Sequence, residues 1–187
     1  MGLAPEQLLG VILCGGYSSR FGSDKARAVV DRQPLICAVA AALAPWCSRI
    51  IAVAEIADTY ADLGLTTIAD YSPHLGPVGG INTALGDGHE PWLLVAPCDL
   101  VRPRPSWFAT LVATAASGTQ AAAIHEERWQ PLPCLLNRQA CADLSLSEGG
   151  SLHGVLDRLV ATRLARPSVW PTQLSANTRT DLDKLLA

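Results

Sequence analysis

Leu8-Leu9-Gly10-Val11-Ile12-Leu13, running on into Cys14-Gly15-Gly16-Tyr17-Ser18-Ser19-Arg20-Phe21-Gly22-Ser23-Asp24-Lys25, is the stretch on which the fold turns. Six apolar residues that end at a pair of glycines read as a buried strand entering a turn. Outward from it, short apolar runs alternate with helical patterns. Leu35 to Leu43 is Ala-rich and predicts a helix stopped near Pro45, and Arg49 to Ala54 predicts a second buried strand. Tyr60 to Leu63 reads as a short helix and Thr66 to Ile68 as a small strand. Gly79 to Leu85 reads as a helix after the turn at Gly76-Pro77, and Trp92 to Ala96 as a central strand stopped by Pro97.

Further on, Ser106 is placed to cap a helix running to about Ala116. Gln120 to Ile124 and Leu132 to Leu136 predict strands, Gln139 to Leu144 and Leu152 to Leu159 helices, and Thr180 a cap for a last helix to Leu186. Strands alternating with helices predict an α/β layered fold with a mostly parallel sheet. Such sheets bind ligands beyond the carboxyl ends of their strands, and the chemically interesting polar residues fall just after the first and fourth strands.

The chain has 187 residues, no internal repeat and no Gly/Ser or charge-block linker, so residues 1–187 are read as a single domain. A net charge of −3 leaves no basic surplus for a nucleic-acid backbone, although a nucleotide site needs only a few cations in one place. No apolar run reaches the roughly 18 residues of a membrane span. Met1 to Gly10 has neither a Lys or Arg nor a small-residue cleavage pattern, which predicts no signal peptide and a cytoplasmic protein. The six cysteines (14, 37, 47, 98, 134 and 141) show no C-x-x-C spacing and are read as small buried thiols in a reduced compartment.

The loop after the first strand carries the chemistry. Its glycines let backbone approach a ligand closely, and consecutive N–H groups can cup phosphate oxygens. Arg20 offers a planar fork and Lys25 a point charge. A glycine-rich turn after a strand is often only a tight turn; the two cations move the reading toward phosphate. The spacing is neither G-x-x-x-x-G-K-[ST] nor G-x-G-x-x-G. Asp99, in Pro97-Cys98-Asp99, follows a central strand, where a carboxylate either caps the next turn or holds Mg²⁺ against phosphate oxygens. Asp70 alone reads first as a turn residue. His74 reads first as an exposed loop residue, with a ligand contact as the alternative; His89, His125 and His153 have no metal-ligand spacing, and the tryptophans are read as packing.

Together these segments resemble the small nucleotidyltransferases that complete the molybdenum cofactor. Those proteins carry a loop of the form Leu-Ala-Gly-Gly-x-Ser-x-Arg-Met-Gly-x-Asp-Lys-Ala, matched here by Leu13 through Ala26 with Cys14 for Ala and Phe21 for Met. Pro34-Leu35, Asp70 followed by Gly76-Pro77-Val78-Gly79-Gly80, Pro97-Cys98-Asp99, Gln130-Pro131-Leu132 and Asn177-Thr178-Arg179-Thr180-Asp181-Leu182 match later family segments in order. The resemblance implies a three-layer α/β/α Rossmann-like nucleotidyltransferase fold with a mostly parallel mixed sheet, a monomeric or weakly associating enzyme, and handover from other molybdenum cofactor proteins.

It also implies the reaction: the terminal phosphate of molybdopterin attacks the α-phosphorus of GTP, pyrophosphate leaves, and a guanine dinucleotide results. Arg20, Lys25 and Asp99 are then the catalytic set, with Asp99 on Mg²⁺. Leu13, Cys14, Gly15, Gly16, Ser18, Lys25, Asp70, Gly76, Pro77, Gly79 and Asp99 bind the nucleotide, with Asp70 on the nucleoside side and the Gly76 to Gly80 turn bordering the base. Gly15, where related cytidylyltransferases usually carry Ala, favours GTP over CTP, as does Asp24 directly before Lys25. Val53 stands where many guanylyltransferases have an Asn that contacts the nucleotide, Val101 where a Pro is common, and Asn177 is a candidate second contact. A cytidylyltransferase, a transferase for another phosphorylated acceptor, and a non-catalytic nucleotide-binding member remain alternatives.

Overall fold

The computed structural model describes residues 3–15, 24–116, 118–143, 150–171, 174–176 and 178–186. A seven-stranded sheet runs through them. Its strands are β1 (Leu8–Leu13), β4 (Arg49–Ala54), β5 (Thr67–Ala69), β6 (Trp92–Pro97), β7 (Ala121–His125), β8 (Trp129–Asn137) and β9 (Thr162–Leu164), in the order β5-β4-β1-β6-β8-β7-β9. The pairs from β5 across to β6 are parallel, β8 is antiparallel to both neighbours, and β9 is parallel to β7. A two-residue hairpin, β2 (Val29–Val30) with β3 (Gln33–Pro34), stands apart.

β1 is buried at every position because it lies at the sheet's centre with helices on both faces. Side-chain alternation sorts it. Leu8 and Ile12 join a core with α1 (Leu35–Leu43) and α3 (Ser106–Ala113), through Ile36, Val39, Leu43, Phe108 and Leu111. Leu9, Val11 and Leu13 join a second core with α2 (Pro77–Leu85), α4 (Arg138–Asp143) and α5 (Leu152–Arg158), through Val78, Ile81, Ala84, Cys141, Val155 and Leu156. Helix, sheet, helix: the architecture is three-layered α/β/α.

The observed elements move some expected boundaries. The helix expected at Gly79 begins at Pro77, whose missing N–H costs nothing in a first turn. Ser106 is itself helical, with Pro105 before it, and α3 ends at Ala113 rather than Ala116. The last helix, α6 (Arg179–Leu186), is capped by Thr178, not Thr180. Thr178 Oγ1 accepts from Asp181 N at 3.0 Å, and Asp181 Oδ2 accepts from Thr178 N at 2.9 Å. All six cysteines are free thiols, although Cys14 and Cys37 are only half-buried. No described helix is long and apolar enough to cross a membrane.

Candidate functional site

The chain leaves β1, builds β4 and β5 on one side, then returns to lay β6 on the other. That reversal beside β1 is a topological switch point, and the carboxyl ends of β1, β4, β5 and β6 open into a cleft of about 310 Å³. Leu13 and Val53 form its floor with Gly80. Asp70 and the Gly76-Pro77 turn border one side; Pro131, Leu132 and Ser175 border the other.

Lys25 and Asp99 meet in this cleft from positions 74 residues apart, with the Lys25 ammonium donating to Asp99 Oδ2 at 2.8 Å. Each is held by local structure. Asp24 caps the 3₁₀ turn Lys25–Arg27 by accepting from Ala26 N at 3.0 Å, and it also accepts from the Tyr60 hydroxyl at 3.3 Å. Arg27 then anchors the turn to the β4–β5 connection through Asp62 at 2.8 Å and the Thr59 carbonyl at 2.7 Å. Burial acts to lower the Lys25 pKa, but the charge and hydrogen bond of Asp99 outweigh it, so the ammonium is held above its ordinary range.

Asp99 is 3% exposed, one of three buried polar or charged side chains among the described residues. Its backbone is pinned by a returning C-terminal segment. Ala176 N donates to the Asp99 carbonyl at 3.2 Å, Leu100 bridges to Ser175, and Val101 N donates to the Leu174 carbonyl at 2.9 Å. Val101 thus supplies an N–H that the more common Pro lacks. Val101 also packs with Ala176 and Leu182, which ties α6 to the site.

Asp70 Oδ1 accepts from Ser72 N at 2.8 Å and from the Thr83 hydroxyl at 3.1 Å. Gly76 has φ 59° and ψ −142°, a backbone conformation suited only to glycine, which lets the chain turn sharply into α2. The two neighbouring glycines of α2 differ. A Cβ on Gly79 would run into the Ser72 carbonyl, whereas a Cβ on Gly80 would enter the cleft beside Leu13 and Val53. Gly80, not Gly79, lines the cleft.

Of the residues singled out from the sequence, Leu13, Gly15, Lys25, Asp70, Gly76, Pro77 and Asp99 are together here. Cys14 is not among the residues that line the cleft; its N–H is bonded to the Val53 carbonyl at 2.8 Å and its side chain packs against the core under α1 and α3. Burial first, then the adjoining Cys98, pushes its thiol well up, so it stays neutral. Gly16, Ser18, Arg20 and Asn177 lie outside the described residues. Gly80, read from the sequence as the end of the turn bordering the base, lines the cleft. Ser175 and Pro73 also line it and left no signal in the sequence.

A switch-point cleft that joins a buried carboxylate, a cation and the mouth of a helix is the layout of a nucleotide-handling α/β transferase. The chain belongs to the MobA-like NTP transferase family, whose profile matches residues 10–163. A protein of Deinococcus radiodurans called "probable molybdenum cofactor guanylyltransferase" is 38% identical over 172 residues, covering 91% of this chain and 86% of that one. A Shewanella molybdenum cofactor guanylyltransferase is 33% identical over 135 residues, 70% of this chain and 68% of its own. Among solved structures, molybdopterin-guanine dinucleotide biosynthesis protein A from Archaeoglobus fulgidus superposes with a TM-score of 0.76 at 20% identity. That match covers 94% of this chain and 95% of the other, and carries the fold.

Proposed function

We propose that this chain transfers GMP from Mg²⁺-bound GTP to the terminal phosphate of molybdopterin, releasing pyrophosphate. The observation that carries the reading is the Lys25–Asp99 contact at 2.8 Å inside the switch-point cleft. The acceptor's phosphate oxygen forms a bond to the α-phosphorus as the bond from that phosphorus to the bridging oxygen breaks, and the electron pair leaves with pyrophosphate. The protein's work is positioning and charge stabilisation. Lys25, kept protonated by Asp99, places a point charge on the triphosphate and the departing pyrophosphate. Arg20 is assigned the same task from the flanking loop. Leu13, Val53 and Gly80 give the nucleoside an apolar bed, and Gly15, which lines the same cleft, adds no side chain to the space a purine would take.

A hard divalent cation fits the donor chemistry. Asp99 offers carboxylate oxygen, and no group of three or more His, Cys, Asp or Glu side chains gathers among the described residues. One carboxylate with phosphate and water as the remaining ligands suits Mg²⁺. When bound, the ion supplies charge neutralisation to the triphosphate.

Pyrophosphate release with Mg²⁺-GTP and Mg²⁺-CTP, each with and without molybdopterin, tests the proposal. Release is expected only with GTP and the acceptor together. Preference for CTP would move the chain to the cytidylyl branch; tight GTP binding with no release under any acceptor would favour a binding module. A second expectation concerns the cleft floor. In Gly80→Ala the new methyl meets the Leu13 Cδ2 end at 2.8 Å and approaches Val53 Cγ1 at 3.6 Å. Leu13 lines the cleft and is otherwise packed in the core, so the methyl and the displaced Leu13 end take space from the nucleoside bed and GTP affinity by calorimetry should fall roughly tenfold. Unchanged affinity would remove Gly80 from the nucleoside bed.

A further inference from the structure

Thr83 is the one polar side chain among the buried residues of α2. It is 1% exposed and stands one turn on from Gly79 and Gly80. Threonine is a mediocre helix former, and a buried hydroxyl is costly unless it is hydrogen-bonded. Serine and threonine in helices commonly bond back to their own helix. Here Oγ1 instead reaches across to the segment after β5, donating to Asp70 Oδ1 at 3.1 Å and accepting from Tyr71 N at 3.0 Å.

Ser72 N donates to the same Oδ1 at 2.8 Å, so one carboxylate oxygen takes two protein hydrogen bonds. That fixes the carboxylate. Its other oxygen, Oδ2, is turned to the cleft side, 3.9 Å from the point a Cβ on Gly80 would occupy. We propose that Thr83 is the positioning residue for Asp70, locking its carboxylate so that Oδ2 is presented to hydrogen-bond donors of the bound nucleoside. The inference rests on the guanylyltransferase reading, in which Asp70 sits on the nucleoside side. Two parts of GTP offer such donors: the ribose hydroxyls, and the N1–H and amino group of guanine. Both are satisfied by an acceptor-only carboxylate, and neither reaches an oxygen that has swung away.

The test compares Thr83→Val, which keeps shape but loses the hydroxyl, with Thr83→Ser, which keeps the hydroxyl. Calorimetric Kd is measured for GTP, 2′-deoxy-GTP and inosine triphosphate, alongside KM, kcat and Tm. Thr83→Val should weaken GTP binding about fivefold and raise KM with kcat unchanged, while Thr83→Ser stays within about twofold of the parent. In an Asp70→Ala background, Thr83→Val should add nothing. The analogue whose binding Thr83→Val leaves unaltered is the one that has lost the donor gripped by Asp70. The same weakening without Asp70, or an unchanged GTP Kd, overturns the proposal. Absence of GTP binding by the unmutated chain would instead sink the guanylyl reading, and the same variants measured with CTP then decide the role of Thr83.

Discussion

Asp99→Asn is expected to cut kcat for pyrophosphate release by roughly 10³-fold while the chain still folds. Asparagine is isosteric and keeps an oxygen that can accept from Lys25, so the ammonium at 2.8 Å retains a partner. What disappears is the negative charge. With it goes the hard anionic ligand a divalent cation needs; Asp70, the other carboxylate lining the cleft, is tied through Oδ1 to Ser72 N and the Thr83 hydroxyl. The fold is insulated from the change, since the strap from residues 174 to 176 is held by backbone groups: the Asp99 carbonyl, Leu100 and Val101.

Breaking a fully buried ion pair costs about 3–5 kcal/mol, but the Lys25 side chain is 22% exposed and its ammonium can reach water. A loss of about 1–2 kcal/mol, or roughly 3–6 °C in Tm, is the expected stability change. Steady-state release assays and thermal unfolding on the same preparation separate the two effects. A rate within about tenfold of the parent would remove Asp99 from the metal role.

The frame was legible in the sequence wherever burial on both faces wrote continuous apolar runs. Leu8–Leu13, Arg49–Ala54 and Trp92–Pro97 announce themselves, and their spacing by helices gives the parallel sheet. The β2–β3 hairpin did not, because two-residue strands show no period. Its turn residues, Asp31 at φ 50° and Arg32 at φ 69°, also adopt left-handed backbone without the Asn-Gly or Asp-Gly that marks such a turn. β9 is three residues long and mostly exposed, so no apolar alternation betrays it.

At the site, Lys25 and Asp99 could each be suspected from residue type and position after a strand. Their contact across 74 residues needed the folded sheet. Asp24 was noticed only as a family letter, yet its work is local, capping the turn that projects Lys25. Thr83 left no trace. In sequence it is one polar residue on a short helix, and only the packing of the β5 loop against α2 gives its hydroxyl a target.

The adjacent glycines of α2 mark the limit most sharply, and they yield the largest expected loss of stability. Successive helix positions point roughly 100° apart, so Gly79 and Gly80 cannot share a task, yet the string Gly76-Pro77-Val78-Gly79-Gly80 does not say which faces the cleft. Gly79 faces the loop. Its ideal Cβ falls on the Ser72 carbonyl oxygen and lies 3.3 Å from Leu75 Cβ. That carbonyl cannot yield cheaply. It accepts from Leu75 N at 3.0 Å, and the segment that carries it is tied down through Ser72 N to Asp70 and Tyr71 N to Thr83.

Gly79→Ala should therefore push the loop off the helix. The overpacking costs about 3 kcal/mol, against about 1 kcal/mol gained from alanine's helix propensity. The net of about 2 kcal/mol corresponds to a Tm roughly 6 °C lower. Nucleotide affinity should fall with it, because the displaced segment carries Asp70 itself and the Ser72 and Tyr71 N–H groups that hold it against Thr83. Gly80→Ala provides the contrast, with Tm changed by no more than about 2 °C and the effect confined to binding. Should Gly79→Ala melt at the parental temperature, the 70–75 segment would be free to slide on α2, and the rigid Asp70 geometry on which the nucleoside contact depends would go with it.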